Sequence, residues 1–303
     1  MTNADYIFVQ NCKSILASPY GDEGMPVRPH WADGTPAHTK KVFTICNRYD
    51  LRKELPIMTL RRIYWKTAFQ EILWIYQKAS NVIAELGSHI WDSWDVGDGT
   101  IGKAYGYQIG QLSRHHKWDG KEDLDQYKFQ IKDGWVYLDQ MSAVLYDLTH
   151  NPLSRSIITT TYIPQDLSEM GLRPCAYSMT YNVTRNMETG EMILNGLLNQ
   201  RSQDMLTANN WNVIQYALLL TAVANHVGMT PGTLTHMIAD CHIYDRHVPI
   251  VEDILHRAET APNDFKTPTL HMTKKPFFDL TLDDVKLEGY QYDTTDYKIE
   301  VAI

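Results

Sequence analysis

Four residues in the second half of the chain have side chains that could act together on a bound substrate. Cys175 follows Pro174, Arg201 and Asp204 come later in one short segment, and Asn212 stands at the head of an apolar run. A thiolate is a strong nucleophile, and a nearby cation lowers the pKa of a thiol. The order of these residue types therefore predicts nucleophilic catalysis by Cys175, with Arg201 as the activating cation.

Each cysteine, considered alone, has a simpler possible role. Cysteine is among the residue types most often buried, where it packs as a small hydrophobic side chain. That packing role is kept for Cys12, Cys46 and Cys241. For Cys175, the arginine, aspartate and asparagine that follow it favour the catalytic interpretation.

Hydrophobic periodicity predicts the elements that hold these residues. Apolar residues at three- and four-residue spacing indicate a long helix over 61–78, which contains Glu71, and a second helix over 138–148, stopped by Asn151. A third, apolar helix covers 212–227. β-branched and aromatic runs predict strands at 157–163, 177–183, 192–198, 235–239 and 269–272, with a hairpin turn at 186–190. Helices segregated around a mostly antiparallel sheet give an α+β fold.

The composition indicates an ordinary globular protein. The chain has 303 residues, of which 44% are hydrophobic and 21% charged, and its formal net charge is −8. This length can bury a large core without disulfides or metals, and no linker divides it, so we expect one domain over 1–303. The acidic balance argues against DNA binding, so an anionic ligand would need a local cluster of arginines.

The cysteines and the N-terminus indicate a reducing, cytoplasmic location. The four cysteines are widely spaced without a Cys-x-x-Cys pair, and the first residues lack the basic and apolar features of a secretion signal. The longest apolar run, 213–227, contains Gln215 and His226 and is shorter than the roughly 20 residues that cross a bilayer. We therefore expect no membrane partner.

The order of these residues resembles the thymidylate synthase family, and the resemblance runs from Arg28 to the terminal Val301-Ala302-Ile303. It implies a mostly antiparallel sheet with flanking helices, and a homodimer formed by stacking of two such sheets. It also implies reductive methylation of dUMP to dTMP, with 5,10-methylenetetrahydrofolate as the co-substrate and dihydrofolate as the second product. No metal is implied.

The resemblance assigns catalytic roles to five residues: Cys175, Glu71, Tyr105, Arg201 and Asp204. In this scheme Cys175 attacks C6 of the uracil ring, Glu71 relays protons through water, and Tyr105 helps to remove the C5 proton. Burial of Glu71 would raise its pKa toward the working range. The alternatives are a helix-surface glutamate and a core tyrosine with a satisfied hydroxyl. Ala176 stands where the family usually has histidine, which removes a supporting hydrogen-bonding group.

Phosphate recognition needs several convergent donors, because one exposed ion pair contributes little. The resemblance assigns Arg28, Arg201 and Ser202 to the phosphate in their own subunit, and Arg155 to the phosphate of the partner subunit. The family usually has two consecutive arginines there, whereas Arg155 is followed by Ser156, so we expect weaker nucleotide binding. A solvated surface arginine is the alternative for any one of them.

The rest of the nucleotide is matched by five residues. The Asn212 amide can donate and accept toward uracil O4 and N3, and family members acting on deoxycytidylate generally have aspartate there, so asparagine favours uracil. Its alternative role is the N-cap of the helix over 212–227. The resemblance assigns His242 and Tyr244 to the deoxyribose 3′-hydroxyl, with simple packing as the alternative, and adds Gln203 and Asp204 to the substrate site.

For the folate, the resemblance implies a contact from Asp204 to the pterin ring, stacking by Trp91 and Trp94, and a lid formed by the C-terminal residues around Ala302. Lid closure excludes water from a reaction. The family's Gly-Leu-Pro is replaced by 208–210, Ala-Asn-Asn, and Tyr64 stands where many members have histidine.

Two other functions remain open at this point. A dUMP 5-hydroxymethylase would result if the altered folate pocket admitted water, and Trp91 and the intact tail argue against it. A weakly active nucleotide-binding regulator would be consistent with Ala176, Ser156 and Ala208. Retention of Cys175 argues against the regulator.

A glycine-rich spacing and two histidine pairs are not expected to bind a ligand. Two regions of the chain are expected to be solvated. The Gly-x-Gly-x-x-Gly spacing at 97–102 has no strand before it and no helix after it, so it predicts a turn rather than a dinucleotide site. The pairs His115-His116 and His242/His247 lack partners at ligand spacing, so no metal is expected. Residues 1–25 and 113–135 are expected to be variable, solvated regions.

Overall fold

The structure, a computed structural model, describes residues 1–303 and contains three sheets. The strands are β1 Thr39–Asp50, β2 Ser113–Lys117, β3 Phe129–Lys132, β4 Trp135–Leu138, β5 Ile158–Thr160, β6 Ala176–Arg185, β7 Met192–Asp204, β8 Thr230–Tyr244, β9 Thr269–Met272 and β10 Val285–Glu288. The largest sheet has the order β1-β8-β7-β6-β5, in which only β7 and β8 are parallel. The smaller sheets have the orders β2-β4-β3 and β10-β9.

The central strands bury one face, as their alternating side chains require. Leu194 and Leu198 on β7 are fully buried, whereas Leu197 between them is half-exposed. Gly196 shares the buried face, and a Cβ there would lie 2.2 Å from the side chain of Met179. The glycine thus leaves room for the side chains of Met179 and Leu220 to pack against β7.

The predicted strands are confirmed, with different lengths. β6 and β7 extend beyond 177–183 and 192–198, and the short strand predicted at 235–239 is the middle of the 15-residue β8. β5 has only three residues. β7 is longer than predicted because its parallel pairing with β8 continues through Asp204, which pairs with His242. This extension carries the segment 201–204 to the end of the sheet.

Six α-helices surround the central sheet. They are α1 Asn3–Leu16, α2 Trp65–Leu73, α3 Gly106–Ile109, α4 Gln140–His150, α5 Asn209–His226 and α6 Val248–Thr260. Short 3₁₀ segments lie at Ile83–Glu85, Asp92–Trp94, Pro164–Glu169, Asp245–His247, Phe277–Asp279 and Leu282–Asp284. No helix is long and apolar enough to span a membrane.

The central helix α5 begins earlier than predicted. Its N-cap is Ala208, which makes no side-chain capping bond, and Asn212 lies inside the first turn. The N-cap alternative for Asn212 is therefore wrong. The amide of Asn210 accepts from the N–H of Met58 at 2.8 Å and donates to the carbonyl of Pro56 at 3.2 Å, which fixes the helix start against the segment before α2.

The helix predicted over 61–78 begins only at Trp65 and changes at its end. The backbone before it is used for tertiary contacts, since the N–H of Ile63 donates to the hydroxyl of Tyr290 at 3.0 Å. Trp74–Lys78 form a π-helical turn that ends at Ala79 with φ of 56°. The prediction for α4 is confirmed: Asp139 caps the N–H of Ser142 at 2.7 Å, and the helix ends at His150.

Two regions expected to be solvated are structured. The helix α1 has a capping box formed by Thr2 and Asp5 and buries seven residues, so the expectation for residues 1–16 is wrong. Residues 113–135 contribute to the small sheet β2-β4-β3, although β3 is exposed along its length. The segment 97–102 is a loop, as predicted, with positive φ at Gly97, Gly99 and Gly102.

One hydrophobic cluster of 63 buried residues runs through the protein. It includes residues from α1, from the central sheet and from α5. Burial of this much apolar surface is the main stabilising contribution to folding. The cluster holds the ends of β6, β7 and β8 and the adjoining part of α2 in fixed positions.

Candidate active site

The register of β6 and β7 brings Cys175 and Arg201 together. Cys175 directly precedes β6, and its carbonyl accepts a hydrogen bond from the N–H of Arg201 at 2.9 Å. The guanidinium of Arg201 donates to the carbonyls of Arg173 at 2.7 Å and Pro174 at 3.0 Å, and its Nη2 lies 3.6 Å from Sγ of Cys175. Antiparallel pairing thus places a thiol in contact with a cation that is distant in sequence.

Burial has the largest effect on the pKa of the Cys175 thiol. Burial raises its pKa, whereas the positive charges of Arg201 and Arg28 lower it, and the balance leaves the pKa above its ordinary value. The predicted direction of the effect of Arg201 is confirmed. The expectation of a lowered thiol pKa is wrong, because desolvation of the thiolate outweighs both charges.

Tyr105 contacts the backbone of Cys175. Its hydroxyl accepts a hydrogen bond from the N–H of Cys175 at 3.0 Å, and its ring packs edge-on against Trp91 with centroids 5.2 Å apart. Burial raises the pKa of Tyr105 well above its ordinary value. Its φ of 44° is rare for a residue with a side chain and is held by the surrounding contacts. The ring belongs to the core, while the hydroxyl lies beside Cys175.

Glu71 lies on α2 and is buried, so the helix-surface alternative is wrong. Its Oε1 accepts from Nε1 of Trp91 at 2.8 Å, and its Oε2 accepts from Nε1 of Trp211 and from Nε2 of Gln215, both at 2.7 Å. Burial raises its pKa, as predicted, although the three donors act in the opposite direction. A carboxylate has about four lone-pair positions, so the fourth, on Oε1, can still accept a proton or a water molecule.

Trp211 and Gln215 are functional candidates that the sequence analysis missed. They lie four positions apart on α5 and so share one face of the helix, opposite Glu71 on α2. The signal was present in the sequence, because an isolated glutamine in an apolar helix needs a buried polar partner.

The side-chain amide of Asn212 is held from two sides. Its Oδ1 accepts from Nε2 of Gln200 at 3.1 Å, and its Nδ2 donates to Oε1 of Gln215 at 3.1 Å. Gln215 also bonds Glu71, so the predicted base-reading residue and the predicted general acid are connected through one side chain. Asn212 is only half-buried, which leaves the rest of its amide available.

The predicted phosphate ligands differ in position. Arg28 is exposed, and its guanidinium makes no hydrogen bond within the chain, yet its charge affects both Cys175 and Tyr244. Ser202 is half-buried on β7 beside Arg201. Arg155 is exposed and contacts none of these residues within one chain. Within one chain, Arg201 and Ser202 are neighbours on β7, and Arg28 is close enough for its charge to act on Cys175.

His242 and Tyr244 lie near the end of β8, beside the end of β7. Nδ1 of His242 bonds Oδ1 of Asp240 at 2.7 Å, which leaves Nε2 free for another partner. The two rings pack edge-on with centroids 5.1 Å apart. Burial raises the pKa of Tyr244 to about 12. Both side chains pack together and also keep a polar group for a ligand.

Asp204 ends β7 and holds the turn that follows. Its Oδ1 accepts from the N–H groups of Leu206 at 2.9 Å and Thr207 at 3.3 Å, and His247 Nδ1 lies 3.6 Å from Oδ2. Burial raises its pKa, but the proximity of His247, the charge of His242 and the hydrogen bond from the hydroxyl of Thr207 outweigh burial and leave the pKa below its ordinary value. The side chain of Gln203 is fully buried and donates to the carbonyl of Asp204 at 3.3 Å, so it does not point toward the polar residues around Cys175.

The residues predicted to contact the folate lie in two places, at the tryptophan pair and at the C-terminal tail. Trp91 is buried and packs edge-on against Trp94 with centroids 5.3 Å apart. The C-terminal residue Ile303 exchanges two backbone hydrogen bonds with His30, at 2.8 and 3.0 Å, and Ala302 beside it is half-buried. The tail is therefore docked near Arg28.

The histidine pairs are bonded to carboxylates, contrary to the expectation that they lack such partners. His116 bonds Glu122 at 2.7 Å, and Nε2 of His115 lies 3.2 Å from Asp147. These are pairwise contacts across a surface rather than three ligands converging on one point. No group of three or more histidine, cysteine or carboxylate side chains could hold a metal ion.

Comparison with known proteins gives one consistent result. The family model described as thymidylate synthase matches residues 6–303. Thymidylate synthase of Bacillus licheniformis is 36% identical over 297 residues, which are 96% of each chain, and that of Bacillus phage phi3T is 36% identical over 298 residues.

A solved structure agrees with the sequence comparison. Thermostable thymidylate synthase A from Bacillus subtilis has a TM-score of 0.83 and 35% identity, and the match covers 100% of both chains. The predicted α+β fold is thereby confirmed. Together with the arrangement of Cys175, Arg201 and Glu71, these matches show that the chain belongs to the thymidylate synthase family.

Proposed function

We propose that the protein catalyses the reductive methylation of dUMP to dTMP, with 5,10-methylenetetrahydrofolate as carbon donor and reductant. The contact between Cys175 and Arg201 carries this proposal, since it places the proposed nucleophile beside the guanidinium that is assigned to the phosphate. The family match and the thymidylate synthases that resemble the chain along its length support it.

The reaction begins with a bond between Sγ of Cys175 and C6 of the uracil. The electron pair of the C5–C6 double bond moves toward C5 and O4, and C5 then takes the methylene carbon from the folate. Loss of the C5 proton and breakage of the bond to the folate nitrogen give an exocyclic methylene. Hydride transfer from the resulting tetrahydrofolate reduces this methylene to a methyl group, the C6–S bond breaks, and dihydrofolate is released.

Proton movements are assigned to Glu71 and Tyr105. Glu71 has one unused lone-pair position on Oε1, and its raised pKa makes it a better proton acceptor than an ordinary carboxylate, so it can exchange a proton through water. The Tyr105 hydroxyl accepts from the N–H of Cys175 and keeps its own proton available on the same side. It is therefore placed to assist removal of the C5 proton next to the nucleophile.

Nucleotide binding is assigned to charged and polar groups around Cys175. Arg28, Arg201 and Ser202 bind the phosphate, with Arg155 supplied by the partner subunit of a homodimer. Asn212 reads the uracil edge, and Asp204 completes the substrate site. The 3′-hydroxyl is assigned to His242 and Tyr244. Gln203 contributes only through its backbone, because its side chain is buried.

The folate is assigned to the face of the pocket opposite Cys175. Trp91 and Trp94 form its walls, Asp204 contacts the pterin, and the tail around Ala302 closes over the bound molecules. Opening of the last three residues requires breaking the two backbone hydrogen bonds between Ile303 and His30, which are both exposed residues.

The homodimer is assigned to the face of the central sheet that does not carry Leu194 and Leu198. A row of cross-strand neighbours on that face consists of Ile158, Thr180, Leu197, Thr235 and Arg48. Ile158 is 49% exposed within one chain and Leu197 is half-exposed. Stacking two such sheets about a two-fold axis would cover this row on both copies. Arg155, three residues before β5, would then lie beside the partner.

Two broader expectations remain part of the proposal. The continuous 63-residue core supports one catalytic domain over 1–303. All four cysteines are free, which supports a reducing compartment such as the cytoplasm.

The test is mass-resolved product analysis of the homodimer with dUMP and 5,10-methylenetetrahydrofolate, together with the absorbance change of dihydrofolate. Equal amounts of dTMP and dihydrofolate are expected, and Cys175→Ser should abolish both. Formation of 5-hydroxymethyl-dUMP with tetrahydrofolate would instead identify a hydroxymethylase. Nucleotide binding without either product, equal in wild type and Cys175→Ser, would identify a non-catalytic binder.

A further inference from the structure

Two consecutive histidines on β2, His115 and His116, bond each other through their rings. Adjacent side chains of a regular strand point to opposite faces of the sheet. Here the pairing of β2 with β4 shifts between Arg114 and His116, which makes His115 the extra residue of a β-bulge. A bulge redirects a side chain. The two Nδ1 atoms, one from each ring, are therefore only 2.8 Å apart.

Each ring of this pair also contacts a carboxylate. Nε2 of His116 bonds Oε2 of Glu122 at 2.7 Å, and Nε2 of His115 lies 3.2 Å from Oδ1 of Asp147 on α4. Burial raises the pKa of Glu122, but hydrogen bonds from Tyr146 and His116 outweigh burial and leave the pKa below its ordinary value, so Glu122 is ionised at neutral pH. We call Asp147, His115, His116 and Glu122 the histidine clasp.

The histidine clasp has a place for one extra proton. An ionised carboxylate only accepts hydrogen bonds, so Nε2 of His116 carries a proton. A second proton lies between the two Nδ1 atoms, because one must donate and the other accept. With these two protons both rings are neutral, and a bare lone pair on Nε2 of His115 faces Asp147. A third proton on that nitrogen removes the repulsion and gives the pair a single positive charge.

A fourth proton would break the bond between the rings. Both Nδ1 atoms would then carry a proton at a separation of 2.8 Å, and both rings would be positively charged. Strongly interacting groups bind their protons in two separate steps. As the pH falls, the first step therefore strengthens the clasp, and the second step, at lower pH, opens it.

The groups around the rings favour the first of these steps. Besides Glu122 and Asp147, the titratable groups that face the pair are Asp119 and Tyr127 in the loop between β2 and β3, and Tyr146 and His150 on α4. The two cations of β2, Arg114 and Lys117, instead pack over the ring of Trp135 on β4. The neighbour of His116 on β4 is the uncharged Val136. The pair thus lies among carboxylates, which attract one positive charge.

We propose that the histidine clasp is a pH-sensitive contact that holds β2 to α4 with one extra proton or none, and that releases β2 in acid when both rings become charged. None of its four residues contacts Cys175, Arg201 or Glu71, so the proposal goes beyond the reaction and does not depend on it.

The test is hydrogen exchange with mass spectrometry on the full-length protein at pH 7.5 and pH 5, corrected for the intrinsic exchange rate. In the wild type, protection of residues 113–117 should fall about tenfold, because coupled groups differ by more than about one unit of pKa. In His115→Gln the loss should be absent, since an amide can turn either its oxygen or its NH₂ group toward Nδ1 of His116. His150→Gln is the matched control. Its Nδ1 bonds the carbonyl of Tyr146 at 2.8 Å rather than another ring, so this variant should behave as the wild type.

The comparison among the three proteins separates the clasp from general effects of acid, which act on all of them equally. Constant protection in the wild type would overturn the inference, as would the same loss in His115→Gln as in the wild type. A loss that disappears in His150→Gln would also overturn it, because the sensitive group would then be His150. If His115→Gln does not fold, as judged by circular dichroism, His116→Gln removes the same repulsion and should keep its protection in acid.

Discussion

Nη2 of Arg201 lies 3.6 Å from Sγ of Cys175, although burial keeps the thiol pKa above its ordinary value. The arginine thus offsets part of the cost of forming a thiolate in a dry site. The same guanidinium is anchored by the carbonyls of Arg173 and Pro174, so its position does not depend on a bound phosphate.

Arg201→Gln should slow alkylation of Cys175. Loss of the positive charge raises the thiol pKa further, and the fraction of thiolate at pH 7.5 should fall about tenfold for each unit of pKa. The rate of iodoacetamide labelling is measured peptide by peptide with mass spectrometry. Glutathione added to the same reaction serves as a control thiol whose labelling rate should stay constant. An unchanged Cys175 rate in the variant would contradict an activating role for Arg201.

Trp211→Phe should raise the pKa of Glu71. The indole N–H of Trp211 is one of three donors that favour the ionised carboxylate, so its removal favours the protonated form. The acidic limb of the pH dependence of kcat/KM should then move to higher pH. Glu71→Gln replaces one carboxylate oxygen by an NH₂ group that cannot accept from the donors beside it, and it should lower kcat by about 10² or more, while dUMP binding is affected less. A limb at the same pH in both Trp211→Phe and wild type would argue against Glu71 as the titrating group.

Arg155→Ala and Cys175→Ser should complement each other. If Arg155 acts in the site of the partner subunit, a mixed dimer contains one site with both residues intact. Each variant alone should show little activity. When equal amounts are mixed and the subunits exchange, about half of the dimers contain one chain of each variant. Since each mixed dimer has one intact site of two, about a quarter of the wild-type activity should return. Arg155→Lys is the matched control. Absence of recovery after confirmed exchange would place Arg155 outside the site.

Removal of residues 301–303 should separate nucleotide binding from turnover. The tail contacts His30 through its backbone and leaves Cys175 and Arg201 untouched. Affinity for dUMP should therefore change less than about threefold, while kcat falls by at least about 10² because the closed site no longer excludes water. Calorimetry and steady-state rates measure the two effects. The full-length chain carrying Val301→Ala is the control for loss of bulk alone.

His236 should make the protein sensitive to acid. Its pKa is lowered to about 3 in the folded state by burial, against about 6.5 when unfolded, so the unfolded state binds a proton first as pH falls. Its contribution to stability is complete above about pH 6.5 and decreases toward pH 3. Between pH 6.5 and pH 5 the free energy of unfolding should fall by about 2 kcal/mol because of this residue. Urea unfolding of wild type and His236→Gln at both pH values isolates this difference, which should be absent from the variant.

The sequence by itself determined the kind of chemistry and most of the elements. Side-chain alternation and helical spacing are local properties, so α4, β6 and β7 were predictable from their own residues. Cys175, Arg201 and Glu71 were identified because reactive groups in this order are specific to one family. The direction of the effect of Arg201 on Cys175 followed from charge alone, since opposite charges attract at any geometry.

Tertiary structure decided what depends on depth and on contacts between distant elements. The pKa of the Cys175 thiol lies above its ordinary value because the effect of burial is larger than that of the two arginine charges. The depth of a side chain cannot be read from the residues next to it in sequence. Helix α2 begins at Trp65 because the backbone before it bonds the C-terminal region instead. The connection from Gln200 to Glu71 through Asn212 and Gln215 exists only after β7, α2 and α5 pack together. Hydrogen bonds require partners within about 3 Å, and for these residues packing alone sets that distance.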